Sequence, residues 1–251
     1  MNDFPFSLEQ KTILVTGASS GIGRATAIAI SRLKGNVILT GRSEKRLNET
    51  LNQMDKGEHQ IICADFSSNN VLNLICQSIS GKINGIVHSA GILKTLPFKF
   101  SNIDVLRELM KINFEVPFLL SQSLLKSKLI SNESSIVFVS SLSGSGKIAP
   151  GISIYAASKG AINASVKVMA LELAKNKIRV NSVCPGMVNT NLNTNNPNLT
   201  NEDLKKDEKL TYPLGYGEPE DVANYITFLL SDASKWVTGA NIIMDGGATI
   251  H

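Results

Sequence analysis

A chain of 251 residues, 43% of them hydrophobic, is long enough to fill one large core, and a formal net charge of +4 is too weak to point to nucleic acid. The lysines are dispersed, with no basic block interleaved with aromatics, which also argues against a nucleic-acid partner. Cys63, Cys76 and Cys184 have no metal-ligand spacing and fit a reduced protein. The start MNDFPFSLEQ has neither a basic beginning nor a long apolar run, and no stretch approaches the roughly 18 apolar residues of a membrane span, so a cytoplasmic protein with no metal and no membrane contact is expected.

The first apolar run, 12–16 (TILVT), leads straight into TGASSGIG and then a helical pattern carrying Ile22, Ala25, Ala29 and Leu33. A tight turn there calls for Gly17. Gly21 lets a phosphate approach the backbone, and Gly23 lets the helix pack close to the strand. In the first strand–helix unit this spacing predicts a dinucleotide site, with Gly17, Ser19, Ser20, Gly21, Ile22 and Gly23 as its contacts and the amides at the helix start facing an anion. The second run, 37–40 (VILT), ends at Gly41-Arg42. NAD sites place a carboxylate at this point, whereas a guanidinium is suited to a 2′-phosphate, so NADP(H) is the expected cofactor, with Arg24 as a second partner. The third run, 60–63 (QIIC), precedes Asp65, which either accepts from the adenine amine or caps the next helix.

The fourth run, 85–88 (GIVH), is followed by Ser89-Ala90-Gly91, and a lone histidine at its end, His88, needs no catalytic role. A long helix is expected near 105–125, apolar on nearly every side. The fifth run, 135–139 (SIVFV), precedes Ser141. Then comes IYAASKGAINAS, in which Tyr155 and Lys159 are one helical turn apart and share a face among small residues, as if space were cleared for a cofactor and a substrate. The helix continues to Ala174 apolar all round, which, with the 105–125 helix, predicts a subunit interface and hence a homo-oligomer. The sixth run, 178–183 (IRVNSV), leads to Pro185-Gly186. Asparagine-rich 189–209 follows, with a weak helical stretch near 201–210, a variable loop or a lid over about 187–215. Val222, Ile226, Leu229 and Leu230 form a helical stripe, and 241–244 (NIIM) is the last run. Continuous apolar runs suit strands covered on both faces. Their alternation with helices predicts a single α/β domain over 1–251 with a Rossmann-type, doubly wound parallel sheet.

Taken in order, Thr16-Gly-x-x-x-Gly-x-Gly23, Ala90-Gly91, Asn113, Ser141, Tyr155-x-x-x-Lys159, Pro185-Gly186 and Asp245-Gly-Gly247 resemble the short-chain dehydrogenase/reductase family over nearly the whole chain. Within it, the chain is most similar to bacterial 3-oxoacyl-carrier-protein reductases. The resemblance implies catalysis by Ser141, Tyr155 and Lys159, with Asn113 holding a water that links Lys159 to solvent. It also implies that Lys159 holds the cofactor ribose and that Pro185, Gly186, Val188 and Thr190 line the nicotinamide, while Ala90 and Gly91 complete the cofactor site. The ammonium of Lys159 and the positive nicotinamide of the oxidised cofactor are expected to lower the Tyr155 phenol below its ordinary value. The resemblance also implies a dimer or tetramer. Two departures are Ser89, where relatives commonly have asparagine, and the lack of an arginine in 212–217.

The expected activity is NADPH-dependent reduction of a ketone to a secondary alcohol. The substrate expected from the resemblance is a 3-oxoacyl thioester on an acidic carrier protein, docked by Lys126, Lys128, Lys175 and Lys177, then Lys205 and Lys206. The alternatives are a sugar or polyol, suited to an asparagine-rich lid, and an NADP-binding sensor that catalyses nothing.

Overall fold

The computed structural model describes residues 4–190, 192 and 200–250. Each apolar run becomes a strand: β1 (Thr12–Thr16), β2 (Asn36–Gly41), β3 (Gln60–Cys63), β4 (Ile83–His88), β5 (Ile130–Val139), β6 (Arg179–Pro185) and β7 (Asn241–Met244). They join in one sheet of order β3-β2-β1-β4-β5-β6-β7, every neighbouring pair parallel. β5 starts well before its apolar run. Polar residues 131–134 break the pattern there, and the pairing with β4 shifts register between Ile83 and Gly85.

Alternation along each strand explains why the runs are apolar on both sides. Leu14, Ile38, Ile86, Ile136 and Val180 point to one face. There they pack with α3 (Val71–Ser78), α5 (Val116–Lys126) and α6 (Ser153–Leu173). Ile13, Val15, Val37, Leu39, Val87, Val137 and Val183 point to the other, against α1 (Gly21–Arg32) and α8 (Pro219–Leu230). Strand order reverses direction between β1 and β4, and the carboxyl ends there open a crevice.

The helix expected near 105–125 is three pieces: α4 (Ile103–Met110), a π-helical turn over Lys111–Glu115, and α5. Pro117 accounts for the break. It has no N–H to give to the carbonyl of Asn113, and its ring crowds that carbonyl. The ladder widens accordingly, Val116 N donating to the Lys111 carbonyl. The outer surfaces of these helices and of α6 leave Leu106, Leu119, Val168 and Leu171 exposed, the surface on which self-association was expected.

His88 is structural, as expected. It is buried, stacks on Phe138 with ring centroids 4.6 Å apart, and its Nε2 lies 2.7 Å from Ser121 Oγ. Burial pushes its pKa down to about 3, so it is neutral at pH 7. Among the described residues no helix is long and apolar enough to cross a membrane, and no cluster of side chains could hold a metal ion.

Candidate active site

The turn after β1 works through the positions that lack a Cβ. Gly17 has φ +68°, and a Cβ there would lie 2.9 Å from the backbone of Ala90, so β1 and β4 close on each other at this glycine. A Cβ on Gly23 would sit 2.4 Å from the Gly17 carbonyl oxygen, which is why α1 can begin tight against the turn. Ser20 caps α1 without a side-chain hydrogen bond, so the first amides of the helix face the crevice. Thr16 Oγ1 accepts from the amides of both Ser89 and Ala90, at 3.1 Å each, locking the two strand ends together. Ser89 thus contributes its backbone here.

Arg42 lines the far end of the same cleft, with Gly41, Ser43 and Arg46 beside it. Ser43 caps α2 (Glu44–Leu51) by accepting from Arg46 N, which puts the two arginines one turn apart at the start of that helix. Arg24, expected as a second phosphate partner, is engaged within the chain in the ligand-free protein. Its Nη2 donates to the Ser19 carbonyl at 2.8 Å and its Nε to Thr50 Oγ1 at 3.0 Å, with Glu49 at 3.4 Å. It braces the glycine turn instead. Asp65 lines the cleft but caps no helix, since α3 begins only at Val71. Its Oδ1 accepts from Ser67 N at 2.8 Å, and that bond holds its carboxyl below the usual range.

Ser141, Tyr155 and Lys159 meet in the middle of the cleft. Ser141 stands at the end of β5 and accepts from Ser143 N at 3.1 Å, leaving its own hydroxyl proton to point elsewhere. Lys159 is 5% exposed, and its Nζ donates to the Val139 carbonyl at 2.9 Å and lies 5.7 Å from the centre of the Tyr155 ring. In the ligand-free protein the Tyr155 pKa is raised. Burial pushes the phenol up, and its hydrogen bond with Ser141 only partly offsets this. Lys159 is itself pushed down to about 8 by burial, Cys184 acting in the opposite direction, and its hydrogen bond runs to Val139. Gly91 packs where all these groups converge: a Cβ on it would come within 3.3 Å of Asn113 Oδ1 and 3.5 Å of Lys159 Nζ. The Asn113 side chain is committed, accepting from Ile92 N at 2.9 Å and donating to the Ile92 carbonyl at 3.0 Å and Ser158 Oγ at 3.1 Å. Only its carbonyl, stripped of a helical donor by Pro117, is left for a water.

A family model described as enoyl-(acyl carrier protein) reductase matches residues 17–249. A tropinone reductase homolog of Arabidopsis thaliana is 35% identical over 257 aligned positions, covering 98% of this chain and 93% of its own. The chain is a short-chain dehydrogenase/reductase. A dehydrogenase/reductase of Sinorhizobium meliloti 1021 superposes with TM-score 0.88 at 30% identity, covering 97% of both chains. An NAD(P)-dependent gluconate 5-dehydrogenase candidate from Beutenbergia cavernae, solved with NADP bound at low occupancy, gives 0.89 at 27% identity, covering 99% of this chain and all of the other.

In this short-chain dehydrogenase/reductase the residues at the carboxyl end of β6 reach the cleft as a connected wall. Pro185, Gly186, Val188 and Thr190 line it, and a Cβ on Gly21 would meet Thr190 Cγ2 at 3.2 Å, so the two ends of the cofactor path touch. Of the expected lid, 191 and 193–199 lie outside the described residues. The weak helical stretch is a helix, α7 (Asn201–Thr211), begun by a capping box between Thr200 and Asp203. Met187, Leu192, Leu204, Tyr212 and Tyr216 line the cleft together with Asp203 and Asp207, so the described part of this wall mixes apolar, aromatic and acidic groups. Tyr212 pins it: its hydroxyl accepts from Met187 N at 3.3 Å, and its ring stands edge-on to Tyr216 at 5.0 Å. Sequence reasoning missed Arg46, Tyr212 and Tyr216. The arginine had a signal, an i, i+4 pair with Arg42, while the tyrosines had none.

The residues present fit NADP(H). The glycine cradle suits a pyrophosphate, and Arg42 with Arg46 suits a 2′-phosphate at the end of β2, where no carboxylate stands. Arg42→Ala is expected to lower kcat/KM for NADPH by about tenfold to a hundredfold, equivalent to about 1.5–3 kcal/mol, while leaving that for NADH within a factor of about two. Initial rates with both cofactors check this; an equal loss with NADH would mean that Arg42 holds no 2′-phosphate.

Proposed function

We propose that the protein is an NADPH-dependent reductase that converts a compact, unattached ketone to a secondary alcohol. The observation that carries this reading is the convergence of Ser141, Tyr155 and Lys159 in one cleft of about 960 Å³ that also holds the Gly17–Gly21 turn and Arg42. The cofactor, when bound, supplies a hydride to the carbonyl carbon. Ser141 donates its hydroxyl proton as a hydrogen bond to the carbonyl oxygen and fixes its place. Tyr155, kept protonated by burial, gives its proton to that oxygen as charge develops there. Lys159 Nζ, 5.7 Å from the centre of the Tyr155 ring, sets a positive charge near the phenolate that this transfer leaves.

A carrier-bound thioester loses its docking argument. Lys126 and Lys128 precede the start of β5, and Lys175 and Lys177 precede the start of β6. In a parallel sheet both positions lie at the amino ends, a strand length from the cleft at the carboxyl ends. Lys177 is moreover paired with Glu133 at 2.8 Å. Of the six lysines expected to dock a carrier, only Lys205 and Lys206 are near the cleft, on α7. Leu204, Tyr212 and Tyr216 give the described part of the wall an apolar and aromatic surface, set among Asp203 and Asp207, that supports a compact ketone. Among the names of similar proteins, tropinone reductase homolog fits a compact ketone, whereas gluconate 5-dehydrogenase names a sugar acid and the family description names a carrier-bound substrate.

NADPH oxidation by purified protein tests this with three substrate sets: mono- and bicyclic ketones, acetoacetyl thioesters, and keto sugars. The cyclic ketones are expected to exceed both others by about tenfold or more in kcat/KM. Thioesters or sugars as the preferred set would overturn the substrate reading alone. NADPH binding without turnover of any ketone would favour the sensor.

A further inference from the structure

Tyr155, Lys159 and Asn163 follow one another at intervals of four on α6, so the three share a face. Asn163 is 7% exposed and lies in the most polar part of an otherwise apolar helix–sheet contact. Its Nδ2 donates to the Gly144 carbonyl at 3.1 Å and to Ser145 Oγ at 2.9 Å. On the other side, Ser182 Oγ lies 3.2 Å from Asn163 Oδ1 and Cys184 Sγ lies 3.6 Å from it. With hydroxyl and thiol donors on that side and a carbonyl on the other, the amide has one sensible orientation. Asn241 Nδ2 adds a bond of 3.1 Å to the backbone carbonyl of Asn163, and the single Ser182 hydroxyl proton is shared between Asn241 Oδ1, at 2.7 Å, and Asn163 Oδ1. The amide is thereby held from β6 and β7 and reaches forward to the turn that carries Ser141.

That turn, Leu142–Gly144 with Ser141 as its cap, rides directly on α6. A Cβ on Gly144 would come within 2.7 Å of the Lys159 carbonyl carbon and 2.8 Å of Gly160 N, so no side chain can stand between turn and helix. Ser140 Oγ donates to the Lys159 carbonyl at 3.1 Å, and Gly144 N closes the turn onto the Ser141 carbonyl at 3.0 Å. Among these contacts the Asn163 amide supplies the side-chain donors that fix the turn's far end, at Gly144 and Ser145. The small residues after Lys159 therefore make room for this turn as well as for ligands.

We propose that Asn163 is a positioning residue for the reduction: its amide sets the seating of the Ser141–Ser145 turn on α6, and so the reach of Ser141 Oγ to the substrate's carbonyl oxygen. The proposal rests on the reductase reading above. Displacement of a reacting group by about 1 Å costs on the order of a hundredfold in rate, and a turn freed at one end tilts the residue at the other. Asn163 lines no part of the cleft, so cofactor binding does not depend on it directly.

Asn163→Leu keeps the volume and removes both donor and acceptor. The expected result is a kcat lowered about tenfold to a hundredfold on the best ketone, with the NADPH dissociation constant within about twofold of wild type. The deciding measurement is the double-mutant cycle with Ser141→Ala. Because Asn163 acts through Ser141, Asn163→Leu is expected to cost less than about threefold in a Ser141→Ala background. Asn163→Asp, which keeps the shape and acceptor and loses the donor to Gly144, carries the same measurement if the leucine variant does not fold. The wild-type turnover reports separately on the reductase reading. Losses that multiply in the double variant, a kcat within twofold of wild type, a parallel loss of NADPH binding, or failure of both variants to fold would each overturn the assignment.

Discussion

Tyr155→Phe is expected to fold, to bind NADPH as the wild type does, and to lose about 10²–10⁴-fold of its ketone turnover. The substitution removes one oxygen from a buried side chain and leaves the ring that packs under Lys159 Nζ at 5.7 Å. Among the described residues, the other phenols of the cleft are engaged elsewhere, Tyr212 with Met187 N and Tyr216 with the Leu204 carbonyl and Asp207. Ser141 presents a hydroxyl far too weakly acidic to give up its proton, and Lys159 Nζ is turned to the Val139 carbonyl. Because burial raises the phenol above its ordinary value, Tyr155 in the ligand-free protein stays protonated across neutral pH, the form needed for reduction. Oxidation of the alcohol, which needs the phenolate, is accordingly expected to accelerate as pH rises through neutrality into the alkaline range. Rates in both directions across pH check this. A Tyr155→Phe variant retaining a third of its turnover would mean that another group is the acid.

Lys159→Met should separate activity from stability. Turnover is expected to fall by about 10²–10³-fold, with weaker cofactor binding, since the ammonium beside Tyr155 and its donors are gone. Stability should move little or rise. The pKa of Lys159 is depressed from 10.5 to about 8 by burial, so the folded state binds its proton less readily than the unfolded chain. Below about pH 8 this burial of charge opposes folding by up to about 3 kcal/mol, and the penalty fades as pH rises from 8 towards 10.5. Methionine removes the penalty and leaves the Val139 carbonyl without its donor, at about 1–3 kcal/mol. The two effects offset each other near pH 7. Urea unfolding at pH 7 and pH 10 measures them: the advantage of Lys159→Met over wild type should shrink at the higher pH. A large loss of stability at pH 7 would assign Lys159 a structural part in the core.

The extent to which the site was legible follows the range of the interactions that build it. Gly17, Gly21 and Gly23 carry their roles locally, because a positive φ or a forbidden Cβ is a property of one position and its near neighbours. Tyr155 and Lys159 declare themselves by helical spacing alone. Arg24 and Arg42 look alike in one dimension, and only the contacts with Ser19 and Thr50 show that Arg24 is engaged with the glycine turn. The burial that raises the Tyr155 pKa in the ligand-free protein is likewise a property of the packed core, which the spacing of Tyr155 and Lys159 does not carry.

By itself the sequence determined the layers of the fold and the identity of the reacting groups. Strand, helix and turn propensities and the period of the apolar pattern are local quantities, and seven apolar runs with both faces to cover leave little choice but a parallel sheet between helices. Only the tertiary structure decided which charges face the cleft and which neighbours hold the catalytic groups in place. Lys126 and Lys175 are no less basic than Lys205, yet they precede β5 and β6 and are carried to the amino ends of the sheet, because every strand runs the same way. Asn163 reads as one polar residue in an apolar helix until the sheet brings Ser182, Cys184 and Gly144 around its amide. Such partners are far apart in sequence, and their meeting depends on strand order and packing, which no local pattern encodes.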